Sequence, residues 1–86
     1  IKRNSKGSTM KVLNYRLFLR KEPEGGYTVI VPSLSGCVTY GTTLEESLEM
    51  AKDAIKLYIE TLEANGEDIP VENEIIETTV AIKAHA

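Results

Sequence analysis

The sequence predicts a small α+β domain of order βββαβ, one mixed sheet covered on one face by one long helix. Three observations carry this reading. Over residues 43–66 the apolar side chains Leu44, Leu48, Ala51, Ile55, Tyr58 and Leu62 recur at alternating steps of four and three, which makes one apolar stripe on an α-helix. Ahead of it lie three short runs rich in alternating or β-branched residues, separated by Gly, Pro and Ser. Behind it, residues 75–83 alternate once more.

The helix carries its own end signals. Thr43 and Glu46 have capping-box spacing, and Asn65-Gly66 supplies the left-handed residue that closes a last turn. Its interior has neither Pro nor Gly, and at about 1.5 Å per residue it is about 33 Å long, enough to cross a small sheet.

Residues 11–20 set Leu13, Tyr15, Leu17 and Leu19 on one face against Asn14, Arg16 and Arg20 on the other, the period-two pattern of a half-buried strand whose apolar face meets the helix. The polar segment 21–26, Lys-Glu-Pro-Glu-Gly-Gly, suits a hairpin reversal. The run at 27–32 is apolar on both faces, with Tyr27, Val29 and Val31 on one and Ile30 on the other, as in a central strand. Turn residues at 32–36 break it, a short third strand fits 37–40, and Gly41 releases the chain into the helix cap. After a connector held extended by Pro70, Ile76, Thr78, Val80 and Ile82 alternate with Glu77, Thr79 and Lys83, so a fourth strand is expected parallel to the first and third.

With 86 residues there is room for one domain, assigned to 10–86. Residues 1–9 lack periodicity and read as an appended or disordered arm. A core this small holds only about 3–5 kcal/mol without a staple. Cys37 is the only cysteine and His85 the only histidine, so neither a disulfide nor a structural zinc is available, and no metal or cofactor is expected. Self-association is the remaining staple. One helix covers one sheet face, whereas Ile30, Phe18 and Val38 point to the other, so a homodimer or homotetramer is expected. No run is long and apolar enough for a membrane span and no secretory segment is signalled, so the expected location is the cytoplasm.

The arm contains Lys2, Arg3 and Lys6, so the body carries −6 where the whole chain carries −3. Between Leu57 and Ile82 stand seven acids and no Lys or Arg. Such a body is a poor binder of phosphate backbones and attracts basic proteins instead. Glu60, Glu63, Glu67 and Asp68 are the candidate partner-binding residues, because acids at the negative pole of a helix have no local electrostatic reason to be there. Other candidates have plainer readings. A reactive thiolate needs a cationic neighbour, so Cys37 reads as a small buried strand residue. Glu45, Glu46 and Glu49 complement the helix dipole, and Tyr15, Tyr27, Tyr40 and Tyr58, without interleaved cations, read as packing rather than base-stacking residues. Residues 11–20 hold none of the sheet carboxylates that two-metal cleavage needs, so no enzymatic activity is expected.

Residues 27–37, Tyr-Thr-Val-Ile-Val-Pro-Ser-Leu-Ser-Gly-Cys, followed by Gly-Thr-Thr-Leu-Glu-Glu-Ser-Leu at 41–48 and Ala-Lys-Asp-Ala-Ile-Lys-Leu-Tyr-Ile at 51–59, resemble the HicB-like family of antitoxins over about residues 10–70. The resemblance implies a partial RNase H-like fold, a dimer or tetramer, and neutralisation of a small basic mRNA-cleaving toxin of the HicA type. Many members continue into a helix-turn-helix or ribbon-helix-helix domain; this sequence has no such segment after residue 83, so DNA binding is not expected of it. The competing readings are a stand-alone RNA-binding module and a small-ligand-binding domain.

Overall fold

The computed structural model describes residues 12–85. The expected arm at 1–9, and Lys11 of the first predicted strand, lie outside the described residues. The chain forms β1 (Phe18–Lys21), β2 (Tyr27–Ile30), β3 (Val38–Gly41) and α1 (Leu44–Ala64), in one three-stranded antiparallel sheet of order β1-β2-β3. The α+β class and the order of the first four elements are those read from the sequence.

Cross-strand register separates the two faces. Leu19, Val29 and Thr39 share a row on the face that α1 packs against, and Val29 is completely buried. Phe18, Ile30 and Val38 share a row on the other face, which no element among the described residues covers; Phe18 is 49 % and Val38 55 % exposed. The two-faced pattern of residues 27–32 is therefore realised side chain by side chain.

Only the last part of the first predicted strand pairs. Before Phe18 the chain joins no ladder, yet Tyr15 and Leu17 pack with Ala54, Ile55 and Tyr58 around a core of Val31, Leu34 and Cys37. Leu34 is the largest fully buried side chain, although it sits in a segment that reads as turn. Backbone bonds Val31 N to Cys37 O, Leu34 N to Val31 O and Cys37 N to Leu34 O close the 31–37 loop around it, so its polar groups are satisfied while its one apolar side chain points inward.

From Ala51 on the helix buries or half-buries the stripe its apolar spacing suggests, with Ile55 and Tyr58 on the core, but its first two turns do not follow it. Leu44 and Leu48 are 49 % and 40 % exposed, whereas the fully buried helix residues are Ser47 and Ala51. Small residues face the sheet here because the backbones are close: a Cβ built on Gly41 would lie 2.5 Å from the amide nitrogen of Ser47 and 2.6 Å from its Cα. Ser47 Oγ donates to Thr43 O at 2.6 Å, so its burial leaves no polar group unpaired.

Both helix ends are capped. Thr43 Oγ1 accepts from Glu46 N at 3.0 Å, and the Glu46 carboxylate reaches back to the amide and hydroxyl of Thr42, one residue before the position that the capping box prescribes. At the other end Gly66, at φ +69°, donates to Glu63 O while Glu67 N donates to Leu62 O, a Schellman closure.

The predicted fourth strand does not form within this chain, and the sheet is purely antiparallel rather than mixed. Residues 75–83 join no ladder, and Ile76, Val80 and Ile82 are 90, 80 and 79 % exposed. The physical reason lies at Arg16, whose guanidinium donates to Ile75 O at 2.8 Å and pairs with Glu77 at 2.9 Å, so that side-chain bonds rather than a backbone ladder hold the segment's start.

Candidate functional site

The last turns of α1 and the two residues after Gly66 carry Glu60, Glu63, Glu67 and Asp68, and all four are exposed. The Schellman closure turns the chain immediately after Gly66, which keeps Glu67 and Asp68 at the end of the helix instead of carrying them away from it. The last turn contains no basic residue, and among the described residues none of the four takes part in an ion pair. Their negative charge adds to the partial charge of the helix terminus, and no ion pair among the described residues offsets it.

Next to this acidic end lies an apolar groove of about 470 Å³ between β3 and the C-terminal half of α1. Val38, Leu57, Tyr58 and Leu62 line it, and Glu67 stands at its border. Leu57 is 65 % exposed, an unusual position for a large aliphatic side chain beside another exposed one, Val38. An apolar floor with an acidic border suits a protein surface that presents apolar and cationic side chains together.

The other sequence candidates take structural positions. Cys37 is 6 % exposed within the core, and burial raises its thiol above the usual range, which keeps it neutral and unreactive near neutrality. Glu45, Glu46 and Glu49 are exposed; the bonds from the Thr42 amide and hydroxyl hold the Glu46 carboxyl below its ordinary value, the signature of a cap. Tyr58 donates to Ser35 O at 2.8 Å and Tyr40 to Gly25 O at 2.9 Å, so each ties a loop to the body. Among the described residues no three His, Cys, Asp or Glu converge as metal ligands would. No described helix is long and apolar enough to cross a membrane.

One constellation escaped the sequence reading. Glu72 counts there as one more acid of the negative stretch, but its side chain is only 9 % exposed. It accepts from Ser33 Oγ at 2.6 Å, from Arg16 N at 3.0 Å and from the Arg16 guanidinium at 3.3 Å. Tyr15 OH donates to Pro70 O at 2.5 Å beside it, and burial, followed by the Glu72 charge, raises the Tyr15 phenol above its ordinary value. Glu72 and Glu77 are therefore committed to Arg16, and the acids of this region outside the described ion pairs are those of the helix end and Glu74. No spacing rule links residues 56 apart, so the pairing had no sequence signal beyond an Arg on a strand face and a distant acid.

Three relatives and one family model match the chain. Over 66 residues the chain is 41 % identical to a UPF0150 protein of Synechocystis, covering 77 % of this chain and 84 % of the relative. It is 43 % identical over 61 residues to a UPF0150 protein of Thermoplasma acidophilum, covering 71 % of this chain and 88 % of the relative. It is also 39 % identical over 62 residues to Antitoxin HicB 1 of Photorhabdus laumondii, covering 72 % of this chain but 40 % of that protein. The model of the HicB-like antitoxin of bacterial toxin-antitoxin systems matches residues 15–85, from the Tyr15 anchor through the helix and its acidic end to the exposed tail, and the chain belongs to that family.

Proposed function

We propose that this chain is the antitoxin of a type II toxin-antitoxin pair and neutralises a small basic mRNA-cleaving toxin of the HicA type without doing chemistry itself. The observation that carries the reading is the set of four exposed acids, Glu60, Glu63, Glu67 and Asp68, beside an apolar groove floored by Val38 and Leu57. An RNA-cleaving protein must offer cations to phosphates. A surface that matches those cations occupies the same ground and excludes the RNA.

The division of labour follows from the physics of each part. The acids steer the encounter and are screened by salt, whereas contacts in the groove resist dissociation. Like-charge repulsion at the helix end is relieved when a Lys or Arg arrives, so association improves the electrostatics of the free antitoxin as well. The setting is the cytoplasm, where the toxin meets its messenger.

The test is co-expression with the adjacent basic reading frame, followed by co-purification and growth rescue. Binding and rescue are expected. Replacement of Glu60 and Glu63 by Lys should slow association at low ionic strength by about tenfold or more, with a smaller effect at high salt and an unchanged circular dichroism spectrum. A toxic neighbour that is neither bound nor neutralised refutes the antitoxin reading. An unchanged association rate in the charge-reversed variant refutes only the surface.

A further inference from the structure

Of the two edges of the sheet, β3 is the one that α1 packs against. The bond from Val31 N to Cys37 O sets the alternation of the β2–β3 ladder: Cys37, Thr39 and Gly41 turn their backbone groups to β2, and Val38 and Tyr40 turn theirs to the outer edge. Among the described residues no hydrogen bond reaches the amide or carbonyl of Val38 or Tyr40 from that side. An edge with unpaired amides and carbonyls is a template for one more strand.

This edge opens onto the apolar groove. Gly36, Cys37 and Val38 form one wall, and Leu57, Tyr58 and Leu62 form the other. The flank of α1 from Ala54 to Asn65 runs about 16 Å beside it, and the four residues of β3 span about 13 Å, enough for two side chains of an added strand to lie over the helix. Because α1 begins just after Gly41 and returns over β3, its C-terminal half lies at the Gly36 end, where Tyr58 donates to Ser35 O at 2.8 Å. Glu67 borders the groove at that same end.

We propose that the groove receives a β-strand of a basic protein, added antiparallel to the outer edge of β3, with alternate apolar side chains over Leu57 and an Arg following them at the Gly36 end, toward Glu63 and Glu67. The inference rests on the antitoxin reading for the partner's being a toxin, and adds how that partner is held. An apolar helix in the groove would leave the edge of β3 as it is, because a helix satisfies its backbone groups internally. A strand bonds Val38 and Tyr40 whatever its sequence, and the groove and the acids then select for alternating apolar residues that end in positive charge. Leu57, 65 % exposed, is covered by the same occupant.

The probe is a synthetic peptide, acetyl-Thr-Val-Thr-Val-Thr-Arg-Lys-amide, titrated into the isotope-labelled full chain and followed by NMR. Saturable binding is expected, with hydrogen exchange at the Val38 and Tyr40 amides slowed at least about tenfold, and with no change at Leu19 and Lys21, which turn outward on the opposite edge. Antiparallel pairing sets the third and fifth peptide residues, both threonine, opposite Tyr40 and Val38, so N-methylation of those two should weaken binding at least about tenfold. N-methylation of the two valines, whose amides face away from β3, should change it by less than about threefold. Leu57→Asp should weaken binding at least about tenfold while helical dichroism remains, since Leu57 lies outside the core. Absence of saturable binding, indifference to where the methyl groups stand, shifts confined to the acids, or Val38 and Tyr40 amides already protected by pairing between two copies of the peptide-free chain would each overturn strand addition. Growth rescue in the co-expression test, with the β3 edge still unprotected in the complex, sinks this mode and leaves the antitoxin reading standing; a peptide held at the edge without rescue does the reverse.

Discussion

Replacing Gly41 by Ala tests how closely α1 is seated on the sheet. The added Cβ would lie 2.5 Å from Ser47 N, 2.6 Å from Ser47 Cα and 2.6 Å from Ser47 Oγ, whereas carbon contacts settle near about 3.5–4.0 Å, so the helix start must move by about 1 Å. Two of the three obstacles are backbone and cannot rotate away. Overpacking of a dense site costs about 1–3 kcal/mol, and backbone obstruction puts this case near the upper figure. Against a reserve of about 3–5 kcal/mol, and with a urea dependence near 1 kcal/mol per molar, the unfolding midpoint should fall by about 2–3 M. Gly36→Ala is the control, because at φ +78° with nothing within 4 Å of its Cβ it meets only the left-handed backbone penalty of about 1–2 kcal/mol. Adding Ser47→Ala to Gly41→Ala should not rescue stability, since it removes Oγ and leaves the amide and Cα in place. A Gly41→Ala midpoint no lower than that of Gly36→Ala, or a full rescue by Ser47→Ala, would refute the close seating of the helix.

Two other outcomes follow from burial. Leu34→Ala should cost about 2–5 kcal/mol through a cavity under the 31–37 loop, clearly more than Leu48→Ala, whose side chain is already 40 % exposed; urea midpoints check the order. Stability should also decline in alkali. Burial raises both the Cys37 thiol and the Tyr15 phenol, so each binds its proton more tightly folded than unfolded, and the stability this contributes is complete below the unfolded values and lost as pH climbs from about 8.5 through the folded ones. Midpoints at about pH 7.5 and 9.5 should therefore differ, with part of the difference removed by Cys37→Ala; a flat profile would refute the burial argument.

The readable parts of this molecule were those governed by near neighbours in sequence. Alternation in residues 27–32 gave the two faces of β2, and the Thr43 and Asn65-Gly66 signals gave both ends of α1, because strand pleat and helix caps are set within four or five residues. What could not be read depends on how closely elements approach. The period of the helix placed Leu44 and Leu48 at the sheet, but Gly41 lets the backbones nearly touch, and a gap that narrow admits Ser47 and Ala51 while pushing the leucines outward. Leu34 was hidden by the polar residues around it, and the alternation of residues 75–83 could not show that they join no ladder.

The candidate surface divides in the same way. Charge counting found Glu60, Glu63, Glu67 and Asp68, whose exposure follows from the helix they end. It could not tell them from Glu72, which looks identical in the sequence and is consumed by Arg16 and Ser33. The groove beside them combines Val38 from the sheet with Leu57 and Leu62 from the helix, a juxtaposition that exists only after docking.

The Arg16–Glu72 latch also bears on the order in which the chain folds. Its partners are 56 residues apart, whereas the two strand pairings and the passage from β3 into α1 join neighbouring segments. Local hairpins and a capped helix form with little loop-closure entropy, and the latch can close only over a loop that those elements have already shortened in space. It is accordingly a late event in folding and an early one in local opening: the Arg16 amide, bonded to a carboxylate rather than to a neighbouring strand, should exchange its hydrogen sooner than the amides of β2, and each such opening frees the start of residues 75–83 without unfolding the sheet.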